Sequence, residues 1–254
     1  MNQQIKRSIP LVVTLTSTDV RKKRAYLAIE SIFRQSTKPD KIILWLPNTI
    51  SKVNLPVQLH RLQKRGLSVC YVEDKGPATK MIYTLKQFPE NIIVTADDDG
   101  YYTKHWLRDL YSAHKKEPDI IHCYATKYMT TNEHGKINPV DKWMSMFDAR
   151  QGPSHNLMLL SGPGCIFPAN CFNDEVFSEE IFLKLCPKHD DLWWKAMAIR
   201  NNRLCKRIKS VSKLPVQVRK TQSTALKIYN VEQKGYDNQN LAVFDHFNIH
   251  SKIT

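Results

Sequence analysis

The sequence predicts an α/β fold in which a mainly parallel central sheet is flanked by helices. Two observations carry that reading. From residue 9 to about 115, short runs of β-branched and aliphatic residues alternate with stretches of helical apolar spacing, the order that builds parallel strands through crossover helices. The chain also has 254 residues and 42% hydrophobic content, enough to bury a core against such a sheet.

"IPLVVTLTS" reads as a buried strand from its length and β-branched content. "RKKRAYLAIESIFRQS" follows as a helix, with Leu27, Ile29, Ile32 and Phe33 near helical spacing, and Lys38-Pro39 ends it. "KIILWLPN" is a second strand and "VQLHRLQKRG" a second helix, closed by Gly66 just past its end. "LSVCYVED" is a third strand, and "PATKMIYTLKQFP" a third helix with Pro77 near its first turn. "NIIVTADDD" is the fourth strand.

Beyond residue 115 the order is less regular. "DIIHCYAT" reads as a strand, residues 126 to 160 as a long loop-rich excursion, and "SGPGCIFP" as a glycine and proline turn. "EEIFLKLCP", "DDLWWKAMAIRNN" and "KRIKSVSK" suggest helix, helix and strand. The polar tail from Val216 leads into a short C-terminal helix at "KGYDNQNLAVFDHF". With no internal repeat and no low-complexity linker, one domain over 1–254 is the economical reading.

A balance of 38 Lys and Arg against 24 Asp and Glu gives a net charge of +14, which draws the chain toward polyanions: nucleotides, nucleic acid or an anionic membrane face. The six cysteines are scattered with no CxxC pair, the pattern of reduced thiols in a cytoplasmic protein. Cys186-x-x-His189 could be half a zinc site, but no second half is evident. The apolar run Ile9 to Leu15 is a strand rather than a signal peptide. No segment approaches the roughly 20 apolar residues that span a bilayer, so a membrane role would be peripheral.

Two acidic clusters interrupt this basic chain. Asp97, Asp98 and Asp99 end the fourth strand, and ligands of open α/β sheets bind at the carboxyl ends of strands. Three carboxylates within about 6 Å repel by roughly 1 to 4 kcal/mol per pair at an effective dielectric near ~20, so something positive is expected beside them. A hard divalent ion such as Mg²⁺ or Mn²⁺ suits such oxygens and leaves positions for substrate phosphates. The alternative is a solvated loop in which one Asp caps a helix beginning near Lys104 or Trp106. Asp190 and Asp191 open a second helix; they either cap it and complement its dipole or supply a general base facing a cleft.

Taken together, these phrases resemble the nucleotide-sugar glycosyltransferases of the GT-A fold, a Rossmann-like single domain, and especially bacterial family-2-like enzymes that build lipopolysaccharide or capsule. The resemblance runs through "VVTLTSTDVRKKRAYLAIESIFRQSTKPDKIILWLP" and "EDKGPATKMIYTLKQFPENIIVTADDDGYYTKHWL", the latter similar to the segment with the metal-binding DxD motif, and closes with "SGPGCIFP" and "HDDLWWKAMA". It implies a nucleotide-binding half over 9–115 and an acceptor-binding half with the tail over 116–254. It places the metal and diphosphate on the aspartate run, with Asp98 and Asp99 as metal ligands and Asp97 beside them. It places the catalytic base at Asp191, with Asp190 in the position of the more usual Glu. Thr14, Leu15, Thr16, Asp74 and Lys80 would face the nucleotide; for Lys80 a solvated helix cation is the competing reading. Gly162 and Gly164 would let backbone approach the donor sugar or acceptor, or would simply form a turn.

The implied partners are a nucleotide-sugar donor, a UDP-sugar in the first instance, and a glycan or lipid-linked acceptor. The basic charge would hold the protein near the anionic inner face of the membrane. The rival catalytic reading, a nucleotidyltransferase, normally carries a glycine-rich phosphate loop after its first strand, and "VVTLTSTDVRKKR" has no glycine. No nucleic-acid partner is expected, because clusters such as Arg21-Lys22-Lys23-Arg24 and Lys115-Lys116 are not interleaved with aromatics.

Overall fold

The computed structural model describes residues 7–145, 151–209, 213–218 and 235–253. Part of the expected strand "KRIKSVSK", part of the 126 to 160 excursion and the tail residues 219–234 lie outside the described residues.

In chain order the elements are β1 (Leu11–Thr16), α1 (Lys22–Phe33), β2 (Lys41–Pro47), α2 (Val57–Gln63), β3 (Leu67–Val72), α3 (Thr79–Gln87) and β4 (Ile92–Thr95). There follow β5 (Gly100–Tyr101), α4 (Trp106–Lys116), β6 (Ile121–Cys123), β7 (Thr126–Tyr128), β8 (Leu157–Leu159) and β9 (Cys165–Phe167). The chain continues with α5 (Glu179–Leu185), α6 (Asp190–Arg200), β10 (Cys205–Arg207), β11 (Val216–Gln217) and α7 (Gly235–Phe247). The fold is α/β, with a mainly parallel central sheet flanked by helices. Its seven strands run in the order β10-β6-β9-β4-β1-β2-β3. Strand β1 pairs in parallel with β2 and β4, β2 with β3, and β6 with β10, whereas β9 is antiparallel to both its neighbours.

Strand β1 is apolar along nearly its whole length because it is covered on both faces. Leu11, Val13 and Leu15 pack with Ala25, Ile29 and Leu110 from α1 and α4. On the opposite face Val12 packs with Ile43 and Trp45, against which Tyr83 of α3 lies. Thr14 shares that face and is fully buried. Its hydroxyl donates to the Lys80 carbonyl at 2.8 Å, lies 2.8 Å from the Thr84 hydroxyl, and accepts from the Trp45 indole at 3.1 Å. The expectation that Thr14 and Leu15 touch a nucleotide is therefore corrected. Thr14 fastens α3 to the sheet, and Leu15 is core.

Two further elements differ from the sequence reading. "SGPGCIFP" holds more than a turn, since Cys165–Phe167 form a central, fully buried strand. A three-residue apolar run between glycines and prolines is too short to show a period. "DIIHCYAT" splits after Cys123: β6 joins the central sheet, and β7 pairs antiparallel with β8 inside the expected excursion.

Gly164 also serves packing rather than a ligand. Its φ of +119° lies in the left-handed region, and a Cβ there would run into the Trp106 indole, which donates to the Pro163 carbonyl at 2.7 Å. Gly164→Ala should therefore lower folding stability by about 2 kcal/mol or more, from backbone strain and overpacking together. Urea unfolding measures this, and a loss under about 0.5 kcal/mol would refute the packing role.

Candidate active site

The carboxyl ends of β1, β2 and β4 and the loop after β3 open onto a cleft of about 260 Å³. The first strand contributes Thr16 and then Ser17, Thr18 and Arg21; β2 contributes Pro47; the loop before α3 contributes Asp74, Gly76 and Pro77. Asp97 and Asp98 follow β4, and the far wall is Ser161, Gly162, Asp190 and Asp191. Lys80, on the first turn of α3, lies among them.

Lys80 is no solvated cation. Its side chain is only 4% exposed, and its ammonium lies 2.7 Å from Asp97 and 3.6 Å from Asp190. Burial works against its charge, but Asp97, Asp190 and Asp191 outweigh burial and hold its pKa well above the ordinary lysine value. The same pairing brings Asp97 below the usual carboxylate range although burial opposes it. The two acidic clusters, far apart in the chain, thus meet on one buried charge.

The loop bearing Asp97 is fixed from beneath. The Asp97 backbone N–H donates to the Tyr102 hydroxyl at 2.6 Å, and that hydroxyl donates to the Gly162 carbonyl at 2.9 Å. Gly162 is needed at this point, because a Cβ there would collide with the Asp97 carboxylate. The reading in which an aspartate of the run caps the next helix does not describe the fold. The N-cap of α4 is His105, without a side-chain cap, and Gln35, just past the end of α1, accepts the Leu107 N–H at 2.9 Å.

Asp98 is the most buried of the run, 4% exposed, and takes a hydrogen bond from Ser17 and an ion pair from Arg21. Burial pushes its pKa up to about 7 against the pull of Arg21. Asp99 also pairs with Arg21, at 2.8 Å, and its backbone carbonyl accepts the Val218 N–H at 2.7 Å. It does not line the cleft. Of the two aspartates expected to hold a metal, Asp98 lines the cleft and Asp99 does not. Asp97, with its side chain 42% exposed, and Asp98, at the start of the turn, line the opening.

Across the cleft, Asp190 and Asp191 begin α6 without capping it by side-chain hydrogen bonds. Asp191 instead accepts the Ser161 N–H at 3.0 Å, and Asp190 accepts the Trp194 indole N–H at 3.3 Å. Burial, with the adjacent Asp190 charge, pushes the Asp191 pKa up to about 7 against the pull of Lys80. A carboxyl so poised can take a proton near neutral pH. Asp74 accepts the Gly76 N–H at 2.8 Å and shapes the loop on the β3 side.

The cleft thus collects Thr16, Asp74, Lys80, Asp97, Asp98, Gly162, Asp190 and Asp191 of the residues singled out from sequence. It leaves out Thr14, Leu15, Asp99 and Gly164. Arg21, Ser17, Ser161 and Tyr102 were missed. Arg21 lay inside a basic run that read only as charge, and no spacing marks the other three.

Among the described residues, no three His, Cys, Asp or Glu side chains are grouped to cage a metal. The residues present fit a divalent ion of another kind, held by one or two carboxylates with the remaining positions filled by substrate phosphates and water. Asp97 and Asp98, as hard oxygen donors on the cleft wall, have that chemistry.

A cleft at the carboxyl ends of a mainly parallel sheet is where open α/β proteins bind their ligands, and here it is walled by acids around a buried lysine. The chain belongs to glycosyl transferase family 2, whose family model matches residues 19–174. No curated protein matches it. Among solved structures it is similar to a CMP:2-keto-3-deoxy-manno-octonic acid synthetase complexed with CTP. That similarity has 8% identity and a TM-score of 0.49, over 89% of this chain and 100% of the other. The identity is too low, and the overlap too loose, for that protein's reaction to bear on this one. Among the described residues, no helix is long and apolar enough to cross a membrane.

Lys80→Met would leave three acids facing one another without their shared cation. The loss should be about 3–5 kcal/mol, as for other buried pairs stripped of one partner. Urea unfolding at neutral pH measures it, and a loss below about 1 kcal/mol would show that the acids do not depend on Lys80.

Proposed function

We propose that this protein transfers a sugar from a nucleotide-sugar donor, a UDP-sugar in the first instance, to a hydroxyl of a glycan or lipid-linked glycan acceptor, with inversion at the anomeric carbon. Membership of glycosyl transferase family 2 supports the class of reaction. The observation that carries the detail is the meeting of two acid clusters on Lys80 in one strand-end cleft.

The nucleotide would lie over Thr16 and Asp74, with its diphosphate toward Lys80 and Arg21, whose charges oppose the negative charge gathering on the leaving group. Asp191 takes the proton of the acceptor hydroxyl. The freed oxygen pair attacks the anomeric carbon from the face opposite the nucleotide, and the carbon–oxygen bond to the diphosphate breaks with its electrons leaving on phosphate. The Ser161 N–H holds the Asp191 carboxylate in place for that transfer, and Asp190 keeps its affinity for a proton high. A divalent Mn²⁺ or Mg²⁺ held by Asp97 and Asp98 would add positive charge beside the diphosphate when bound.

The acceptor belongs, in this proposal, to a bacterial surface polysaccharide of the lipopolysaccharide or capsule type, which the sequence phrases "ESIFRQSTKPDKIILWLP" and "HDDLWWKAMA" support. A net charge of +14 would favour work at the anionic inner face of a membrane.

A panel of UDP-, GDP- and CDP-sugars, screened with Mn²⁺ and with EDTA, tests the donor. Release of the nucleoside diphosphate from one donor only is expected. Release of pyrophosphate from a nucleoside triphosphate and a sugar phosphate would instead make the protein a nucleotidyltransferase.

Asp191→Asn should abolish transfer, a loss of at least about 100-fold, while calorimetry still shows donor binding. Normal turnover in that variant would remove Asp191 from the reaction. The base acts deprotonated, and its pKa lies at about 7. The transfer rate should therefore fall about tenfold per pH unit below that value and level off above it. A rate flat from about pH 5 to pH 8 would contradict the assignment.

A further inference from the structure

A second cavity, of about 490 Å³, lies on the α4 face at the β10 edge of the sheet and shares no lining residue with the strand-end cleft. Two basic stretches that are far apart in sequence meet there. Lys116 comes from the end of α4, and Lys206, Arg207 and Lys209 come from β10 and the residues after it.

The acids of this cavity are already engaged. Glu117 holds Lys206 at 2.9 and 2.7 Å. Asp109 takes Arg108 at 3.0 and 2.8 Å on one oxygen and the Tyr124 hydroxyl at 3.2 Å on the other. Among the described residues Lys116, Arg207 and Lys209 form no ion pair, so the cavity carries surplus positive charge.

Two buried nitrogens there also lack partners. The Arg207 Nε is enclosed and makes no hydrogen bond. His122, only 1% exposed, lies with Nε2 at 3.1 Å from the Glu117 carbonyl, so Nε2 carries the proton and donates. Its Nδ1 is enclosed and has no partner. Buried polar groups of this kind ordinarily find partners, and both residues are among those that line the cavity.

We propose that this cavity binds the phosphate group of a phosphorylated ligand, separately from the transfer cleft. The Arg207 guanidinium would donate to phosphate oxygens as a planar fork, with Lys116 and Lys209 as mobile cations at the rim. His122 Nδ1 would accept from a P–OH or, once protonated, donate to a phosphate oxygen. A lipid headgroup and a soluble phosphate ester present the same group, and the test separates them. Nothing in this site depends on the transferase reading.

The site is tested on the full chain with ¹⁵N-labelled histidine, by following the His122 ring while inorganic phosphate is titrated in. His122→Gln identifies the signal. Saturable movement of that signal is expected, with affinity about tenfold weaker in Arg207→Gln and several-fold weaker in Lys116→Gln. Lys116 is exposed, so its replacement leaves the fold intact and decides the matter even if Arg207→Gln fails to fold. An unmoved His122 signal, or equal affinity in the parent and the folded variants, would overturn the proposal.

Co-sedimentation with phosphatidic acid vesicles in phosphatidylcholine, at physiological salt, names the source. Binding that drops in Lys116→Gln assigns a lipid headgroup. Phosphate-dependent movement of His122 without vesicle binding assigns a soluble phosphate ester. Both outcomes uphold the site.

Discussion

One buried ammonium organises the cleft. A charge taken out of water is tolerated only when it is paired, and Lys80 finds its partners on both sides, Asp97 after β4 and Asp190 at the start of α6. Its position is in turn set by the core. Thr14 and Thr84 both donate to the Lys80 carbonyl, at 2.8 and 2.6 Å, and Trp45 donates to the Thr84 hydroxyl at 2.9 Å. The strand that supplies the fold's centre therefore also fixes the height of the lysine above it.

The crowding of negative charge in a basic protein has a local answer. Arg21 bridges Asp98 and Asp99, and Lys80 meets Asp97 and Asp190. The acids are held close by cations from α3 and from the start of α1, before any ligand is considered. Asp98 and Asp191 are driven the other way by burial, each toward about 7. One cleft thus holds carboxyls of two kinds, Asp97 kept ionised by Lys80 and Asp98 and Asp191 poised to exchange protons, and this division is what lets neighbouring acids take different roles.

The alternating half of the fold was legible because each of β1 to β4 is a long apolar run and each intervening helix carries its own punctuation, such as Pro77 and Gly66. Strand β9 was not, because three buried residues between Gly164 and Pro168 carry no periodicity. Within the cleft, Asp97, Asp98, Asp190 and Asp191 could be found because runs of adjacent aspartates stand out in a basic chain. Thr14 and Leu15 misled because the alternation of a strand covered on both faces does not say which side chains reach its open end. Gly162 and Gly164 looked alike in sequence. Only packing separates them, one against the Asp97 carboxylate and the other against the Trp106 indole. Arg21 could not be told from its basic neighbours without knowing that the turn before α1 faces the aspartate run.

The account rests on a carboxyl at the start of α6 that burial and a neighbouring acid keep ready to take a proton, against the pull of Lys80. A carbon-detected NMR titration of the native chain reads this directly, with the Asp191 signal identified by its disappearance in Asp191→Asn. The account predicts a midpoint of about 7 for that carboxyl. A midpoint near the ordinary aspartate value of about 4 would contradict it.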